Sequence, residues 1–414
     1  MRISTVTMFE QSTASMNRQQ SDLMKVSQQI ASGRRVVNPS DDPQAASRAV
    51  GVDQAKAVTE QYSDARISAR NSLSQSESIL NSVSDAVTSA KTLLIQASSD
   101  TLSDVDRESI ASELKGVYET MLGQANATDG NGRYLFGGYK DNAPPFVKDA
   151  EGNVQYQGDS NTREQRVDAS RLLPVNDNGE TIFKSVPSGA GYVAEAKRED
   201  GSLNEGNVTF GGPQIRDVGD ANYGEDFRVT FTSDNEFNIE TFDGTDWNAV
   251  QTDVYTGDQD GSAQQVSYAG VTLTLQGAPV AGDSILASQA GSDQREPDLF
   301  RTMEEAIRVL ENPADTATKK ADLRNTLNTA MRDLDNSLDN VLTVRASAGA
   351  RLNELDVIDA VGSNRMLNYE QTLSDLVDLD YAEAISEYSL RQVGMQAAQK
   401  AFVDIKGLSL FNYM

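Results

Sequence analysis

Apolar residues recur at alternating intervals of four and three positions near the C-terminal end of the chain. The positions are Val377, Tyr381, Ala384, Tyr388, Arg391, Met395, Ala398, Phe402 and Ile405, and Arg391 is the one charged member. This spacing lies on one side of a helix and predicts a coiled-coil seam. A sparser version begins the chain, where Phe9, Met16, Leu23 and Ile30 recur every seven residues. The two chain ends are therefore predicted to form long helices that pack together.

Shorter stripes with the same period lie just inside each end. They include Leu73, Leu80, Val83, Val87, Ala90 and Leu94, then Ile110, Leu114, Val117 and Met121, and later Leu299, Met303, Ala306, Leu310, Leu323, Leu327, Ala330, Leu334, Leu338 and Val341. Any one stripe fits an ordinary buried helix face. Because all of them are confined to the two ends of the chain, together they favour an extended helical bundle.

The middle of the chain has a different pattern. Of the 30 glycines, 22 lie between Gly130 and Gly291. Apolar and polar residues alternate in 227–231, 237–242 and 271–275, which indicates short strands bounded by turns. The predicted fold is therefore mainly α with an inserted β domain. A long antiparallel helical bundle or coiled coil comes from both chain ends, and a β-sandwich or barrel-like domain lies between them.

Three domains follow from these boundaries. Residues 1–37 with 368–414 are predicted to form a terminal assembly coiled coil, and residues 38–139 with 297–367 a helical rod. Residues 140–296 are predicted to form the inserted β-rich domain.

Charge and missing residue types exclude several functions. The 62 acidic and 36 basic residues give a formal charge of −26, which repels phosphate backbones, so we expect no nucleic-acid partner. The chain has no His and no Cys, and thus lacks the usual general base, thiolate nucleophile and soft metal ligands. No phosphate-binding glycine motif or catalytic constellation is recognisable. We expect no enzyme activity, no cofactor and no metal site.

Targeting signals are also missing from the sequence. The first residues lack the apolar core of about 7–15 residues that a secretory signal needs. No stretch approaches the roughly 20 apolar residues of a membrane span, so we expect no membrane insertion. The chain is then either cytoplasmic or exported by a route without a cleaved signal.

A break separates the first predicted helix from the second. It consists of Pro39, Ser40, Asp41, Asp42 and Pro43. Asp42 is suited to cap a helix whose first residue is Pro43, and Ser40 and Asp41 support the turn. This motif predicts a sharp helix start near Pro43, after a first helix that ends near Gly33.

Three segments resemble the bacterial flagellin superfamily. Residues 30–43, with their Pro-Ser-Asp-Asp-Pro run, resemble its N-terminal signature, in the form typical of hook-filament junction proteins rather than flagellin. Residues 132–139 resemble the end of the family's helical region, and residues 378–384 its C-terminal signature. The similarity covers about residues 1–140 and 298–414, while the middle is only loosely similar.

The resemblance implies a non-catalytic, secreted structural subunit of the bacterial flagellum, exported unfolded by the flagellar type III apparatus. It implies partners on both sides, namely hook-associated protein 1 and flagellin, together with a ring of like subunits. A cytosolic flagellar export chaperone is implied for the free C-terminal region. Flagellin itself, or a flagellin-like filament subunit, is the first alternative. A surface adhesin that binds through the central β domain is the second.

The sparse N-terminal seam suggests how such a subunit assembles. We hypothesise that both ends are largely disordered in the free subunit and fold against each other and against neighbouring subunits on incorporation. The predicted assembly interface comprises Phe9, Met16, Leu23, Ile30, Val377, Tyr381, Tyr388, Arg391, Met395, Phe402 and Ile405. Within this seam, Arg391 either fixes the register, pairs with an acidic residue of a neighbouring subunit or extends to solvent.

Overall fold

The computed structural model describes residues 5–257 and 262–407, which form seven helices and twelve strands. The helices are α1 (Thr5–Ser32), α2 (Pro43–Ala97), α3 (Asp104–Ala125), α4 (Gly179–Phe183), α5 (Leu299–Glu311), α6 (Ala317–Val377) and α7 (Tyr381–Gly407). Within these ranges, no helix combines the length and apolar character needed to cross a membrane. The predicted fold class, mainly α with an inserted antiparallel β region, is confirmed.

The chain divides into two compact units. The first contains residues 1–66 and 356–414, and the second contains residues 67–355. Helices α2 and α6 contribute residues to both units. The three-domain division expected from the sequence stays a prediction.

In the first unit, α1 packs against α7, and the beginning of α2 lies beside the end of α6. Lys56 of α2 pairs with Glu370 of α6 at 3.1 Å. Arg66, whose side chain is almost fully buried, pairs with Asp359. These pairs place α2 and α6 antiparallel within this unit.

In the second unit, a helical core is built from the stripes seen in the sequence. Leu80, Val87 and Leu94 of α2 are buried with Leu114 of α3 and Leu334 of α6. Aromatic rings close the core, since Phe300 of α5 lies 5.7 Å from Phe183 of α4 between ring centroids. Helix α3 starts at a capping box in which Ser103 and Asp106 satisfy each other's backbone N–H groups.

The strands are short and antiparallel. They are β1 (Phe146–Lys148), β2 (Val154–Tyr156), β3 (Glu164–Asp168), β4 (Arg171–Pro174), β5 (Tyr192–Ala196), β6 (Thr209–Ile215), β7 (Phe227–Ser233), β8 (Glu236–Phe242), β9 (Trp247–Val254), β10 (Gln264–Tyr268), β11 (Val271–Gln276) and β12 (Ser284–Gln289). A five-stranded sheet in the order β5-β12-β7-β8-β9 and a three-stranded sheet in the order β10-β11-β6 share one apolar core. The remaining strands form two hairpins, β1-β2 and β3-β4. The two larger sheets therefore form a sandwich.

Helix α6 contacts the region between α3 and α5 through a stripe of polar side chains. Asn325 accepts a hydrogen bond from the Phe210 amide (3.1 Å) and donates to the Val208 carbonyl (2.8 Å). Further along, Asn340 donates to the carbonyls of Thr181 and Ile182 at 2.7 and 3.0 Å. Buried polar groups that are satisfied in this way fix one orientation of the interface.

Candidate assembly interface

Helices α1 and α7 run antiparallel, and residues of the predicted seam meet along their length. The rings of Phe9 and Phe402 lie 5.2 Å apart between centroids. Toward the other end of the pair, Arg391 donates to Asp22 at 2.7 Å. A Cβ placed on Gly394 would lie 3.2 Å from Gln19 Oε1, so the helices approach closely there.

The seam is only partly closed. Phe9 and Tyr381 remain 45% and 52% exposed. Met16, Leu23, Ile30, Val377, Tyr388, Arg391, Met395 and Phe402 are partly buried, and the side chain of Ile405 lies outside the described residues. Among the described side chains of α1 and α7, full burial is reached at Val26 and Ala384.

A second apolar surface lies on the part of α7 outside this seam. Ile385, Leu390, Val393 and Val403 are each more than half exposed, and Leu390 reaches 71%. Exposed apolar side chains grouped on one helix are typical of an interaction surface rather than of a solvated face.

The Pro-Ser-Asp-Asp-Pro motif forms the start of α2, which begins at Pro43. Asp42 Oδ1 accepts a hydrogen bond from the Ala45 amide at 3.0 Å, and this contact lowers the pKa of the Asp42 carboxyl. Asp41 Oδ2 accepts from the Asn38 amide at 2.9 Å, and Lys25 of α1 lies 3.1 Å from Asp41 Oδ1. The Asn38 amide and then Lys25 lower the pKa of Asp41. Both carboxylates therefore stay ionised near neutral pH.

Directly before this motif, the two chain ends pair through their backbones. The Leu379 amide donates to the Gly33 carbonyl (3.1 Å), and the Arg35 amide donates to the Val377 carbonyl (2.8 Å). The Arg35 guanidinium extends the contact by donating to the Leu376 carbonyl (2.6 Å) and to Asp42 (3.2 Å). The N-terminal and C-terminal signature segments are thus joined to each other by backbone and side-chain hydrogen bonds.

Each signature segment also ends or begins the helix next to it. Gly33 ends α1 with φ +69°, a conformation that side chains other than glycine rarely adopt. Asp380 caps α7, because its Oδ1 accepts from the amides of Ala382 and Glu383 at 2.9 and 3.2 Å. The cleft beside Arg35 has a volume of about 460 Å³, and half of its lining residues are acidic, including Asp375, Asp378 and Glu387.

Several contacts of this region were not predicted from the sequence. Gly33 and Arg35 make the backbone and side-chain contacts between the segments, but no periodic pattern marks them. Val26 lies beside the predicted heptad position Leu23, and its burial follows from helical spacing. Asp22 is one of many acidic residues, and its pairing with Arg391 depends on the register of the two helices.

Trp247 of β9 is the single tryptophan of the chain and lies in the β region of the adhesin alternative. The Arg228 guanidinium lies over the Trp247 ring at 4.7 Å from its centroid, and Phe242 lies 5.4 Å from it. Trp247 therefore contacts its own sheet on at least two sides. Among the described residues, no group of three or more acidic side chains is positioned to hold a metal ion.

Comparison with known proteins gives matches along the whole chain. A family profile for the bacterial flagellin N-terminal helical region matches residues 3–141. Flagellar hook-associated protein 3 of Escherichia coli K12 is 35% identical over 412 residues, covering 99% of both chains. The crystal structure of Xanthomonas campestris FlgL covers 78% of this chain and 99% of its own, with 28% identity and a TM-score of 0.64. A hook-associated protein-3 structure from Legionella pneumophila gives 26% identity and a TM-score of 0.66, covering 78% of this chain and 98% of its own.

The antiparallel terminal helices, their paired signature segments and the profile match define a flagellin-type helical protein, which confirms the resemblance inferred from the sequence. Within that class, the chain belongs to the family of flagellar hook-associated protein 3. It is a structural, non-enzymatic component of the bacterial flagellum at the hook-filament junction. The relatives matched over the full length are hook-associated proteins rather than flagellins, which argues against the flagellin alternative.

Proposed function

We propose that this chain connects hook-associated protein 1 on the hook side to flagellin on the filament side, as one of a ring of like subunits. In this proposal α1 and α7 complete their folding only when they contact neighbouring subunits. The observation that carries it is the exposed apolar surface of α7, Ile385, Leu390, Val393 and Val403, in a chain with a formal charge of −26.

Partial burial along the seam supports the coupling of folding to assembly. Ordering the backbone costs about 1–2 kcal/mol per residue, and burial of apolar surface has to offset much of that cost. Helices α1 and α7 contain 28 and 27 residues, yet their seam side chains are mostly only partly buried. Burial against neighbours would add the missing apolar contacts and would disfavour polymerisation before export.

Amide hydrogen exchange on the full-length subunit tests this coupling. In the free subunit, we expect fast exchange over residues 10–30 and over α7 beyond Tyr388. In the assembled junction, the same amides should become strongly protected. Strong protection of residues 10–30 in the free subunit would contradict the proposal.

The exposed face of α7 can be tested by one pair of substitutions. Leu390→Gln places a polar helix former on the proposed contact surface, and Val218→Gln changes a similarly exposed apolar residue, at 71% and 70% exposure respectively. We expect Leu390→Gln to reduce incorporation between hook and filament at least about tenfold, which corresponds to roughly 1.4 kcal/mol. The Val218→Gln subunit should incorporate normally. Equal incorporation of both variants would refute the role of this face.

The partners are tested separately. Purified full-length subunit should bind hook-associated protein 1 and flagellin, and a cytosolic export chaperone should bind its C-terminal region before export. Deletion of the gene should leave hooks that form but release flagellin into the medium. Growth of long filaments from the purified chain alone would instead support a flagellin-like role, and specific binding on a glycan array would support the adhesin alternative.

A further inference from the structure

We infer that residues 33–42 and 376–384, here called the clasp, are already folded in the free subunit, and that Arg35 within it sets the register of α7 against α1. This inference deepens the proposed coupling of folding to assembly. It assigns the clasp the role of a template from which the two helices grow when neighbouring subunits bind.

The seam itself specifies register poorly. Phe9, Met16, Leu23 and Ile30 are all large apolar residues separated by seven positions. A slip of one heptad would therefore replace one apolar residue by another along most of the seam. The Arg391–Asp22 pair is partly exposed on both sides, with 34% and 46% of the side chains accessible, and exposed pairs of this kind stabilise weakly. Register has to be fixed elsewhere.

The clasp provides fixed contacts next to the end of α1 and the start of α7. Two backbone hydrogen bonds join its two segments, from the Leu379 amide to Gly33 and from the Arg35 amide to Val377, and they define one alignment of residues. The antiparallel bridge between Arg34 and Asp378 is the same pairing. A slip of even one residue would break these bonds, because backbone pairing has no heptad repeat.

Arg35 locks this alignment with its side chain. Its guanidinium donates at the same time to the Leu376 carbonyl, at the end of α6, and to Asp42, the cap of α2. Gln29 of α1 donates to the Arg35 carbonyl at 2.5 Å. Three helices are therefore tied to one residue, and a planar guanidinium can hold two acceptors in a fixed geometry that a lysine ammonium cannot reproduce.

Burial is concentrated around the clasp. Val36 lies inside it, and Ala45 and Ala49 are on the first turns of α2; all three are buried, as is Ala384 in the first turn of α7. In contrast, Phe9, at the far end of the seam, is 45% exposed. Local stability follows buried contacts, so the clasp should open less often than the distal parts of both helices.

Hydrogen exchange on the free full-length subunit tests whether the clasp is preformed. The amides of Arg35 and Leu379 should exchange at least about tenfold more slowly than those of Met16 and Met395. Unprotected clasp amides would overturn the inference. Uniform protection of clasp and seam would refute the coupling of folding to assembly while leaving a preformed clasp intact, so the two proposals fail in different ways.

Disulfide trapping in assembled junctions tests the register, and the subunit itself has no native Cys that could compete. Phe9→Cys with Phe402→Cys reports the observed register, and Phe9→Cys with Met395→Cys reports a slip of one heptad. We expect Arg35→Ala to raise the cross-linked fraction of the second pair at least about threefold relative to the first. Arg35→Lys should restore the register only in part, and Arg34→Ala, which removes the neighbouring exposed side chain, should leave it unchanged.

Gly33→Ala gives an independent test of the clasp. A Cβ at Gly33 would lie 3.0 Å from the Tyr381 hydroxyl in a backbone conformation that disfavours alanine. Gly51→Ala is the matched control in the same unit, because a Cβ there meets nothing within 4 Å. We expect Gly33→Ala to accelerate exchange at Leu379 and to increase the slipped cross-link, and Gly51→Ala to do neither. Unchanged register in both Arg35→Ala and Gly33→Ala would refute the role of the clasp.

Discussion

Arg391 shows how one charged residue is accommodated in a predominantly apolar seam. It donates to Asp22 across the helix pair at 2.7 Å and to Glu387 on its own helix at 3.1 Å. Both ion pairs are partly exposed to solvent, and exposed pairs stabilise weakly whatever the shape of the cation. Charge is then the property that matters at this position.

This geometry predicts different outcomes for two substitutions. Arg391→Lys keeps the charge and should change the stability of the assembled subunit by less than about 0.5 kcal/mol, as is typical of exposed pairs. Arg391→Glu adds a third carboxylate beside those of Asp22 and Glu387, and the repulsion among them should reduce incorporation into the junction. Quantifying each variant in isolated hook-filament complexes checks the prediction. A strong defect in Arg391→Lys would indicate that the guanidinium shape is needed.

At the same scale, the sequence predicts some residues well and others not at all. Phe9 and Phe402 could be placed in a seam because helical spacing is a local property of each segment. Gly33, Arg35 and Leu376 could not be brought together, since their contact joins segments more than 300 positions apart. A resemblance to family signatures marked both segments, but it gave no reason for their pairing. That reason is the set of backbone bonds between them.

Helix α6 is the element that combines the two environments of the second unit. Its leucines, Leu327 and Leu334 among them, enter the helical core, and its Asn, Thr and Asp side chains bond to the β region. Thr329 donates to the Ala194 carbonyl at 2.7 Å, and Asp333 pairs with the buried Arg295 at 2.6 Å. Burial lowers the pKa of Arg295, whereas the Asp333 and Glu195 carboxylates raise it. The carboxylates have the larger effect, so the pKa of Arg295 is raised overall.

The polar stripe predicts a specific cost for losing one amide. Asn340→Ala would remove this donor from the buried carbonyl of Ile182 and from the partly buried carbonyl of Thr181. We expect a loss of about 1–3 kcal/mol in the unfolding free energy, measured by urea denaturation. Asn336→Ala is the matched control, because the Asn336 side chain makes no hydrogen bond within the described parts of the chain. A cost below that of the control would show that water replaces the amide.

The elements themselves were predictable to different degrees. Helices α2, α3, α5 and α6 carry their apolar stripes in the sequence, and the structure buries most of those residues, while Val117 and Leu338 are partly buried. Alternation predicted β7, β8 and β11, but strand order was beyond reach because pairing such as β12 between β5 and β7 joins distant segments. The polar stripe of α6 was not predicted, because Asn and Thr on a helix face ordinarily indicate exposure to solvent.

For the whole molecule, stability depends on pH in two opposing ways, because some buried carboxyls have a raised pKa and another has a lowered pKa. Burial raises the pKa of Asp226 and of Glu304, so the folded chain takes up protons more readily than the unfolded chain at these sites. Burial also raises the pKa of Glu195, but Lys197 and Arg295 outweigh it and lower the pKa overall. The first two carboxyls favour folding as the pH falls, and Glu195 favours folding only while it is ionised.

These signs predict a maximum of stability on the acid side of neutrality. As the pH falls from neutrality toward the raised pKa values of Asp226 and Glu304, these carboxyls gain protons in the folded state before they would in the unfolded chain. The repulsion within a chain of charge −26 decreases at the same time, so the urea midpoint should rise. Below the ordinary Glu pKa of 4.5, protonation of Glu195 removes its ion pairs, and the midpoint should fall. Fluorescence of Trp247, the single tryptophan, reports unfolding of the second unit. Asp226→Asn should flatten the rise and leave the fall in place, whereas a midpoint that decreases steadily from pH 7 would show that paired carboxylates dominate throughout.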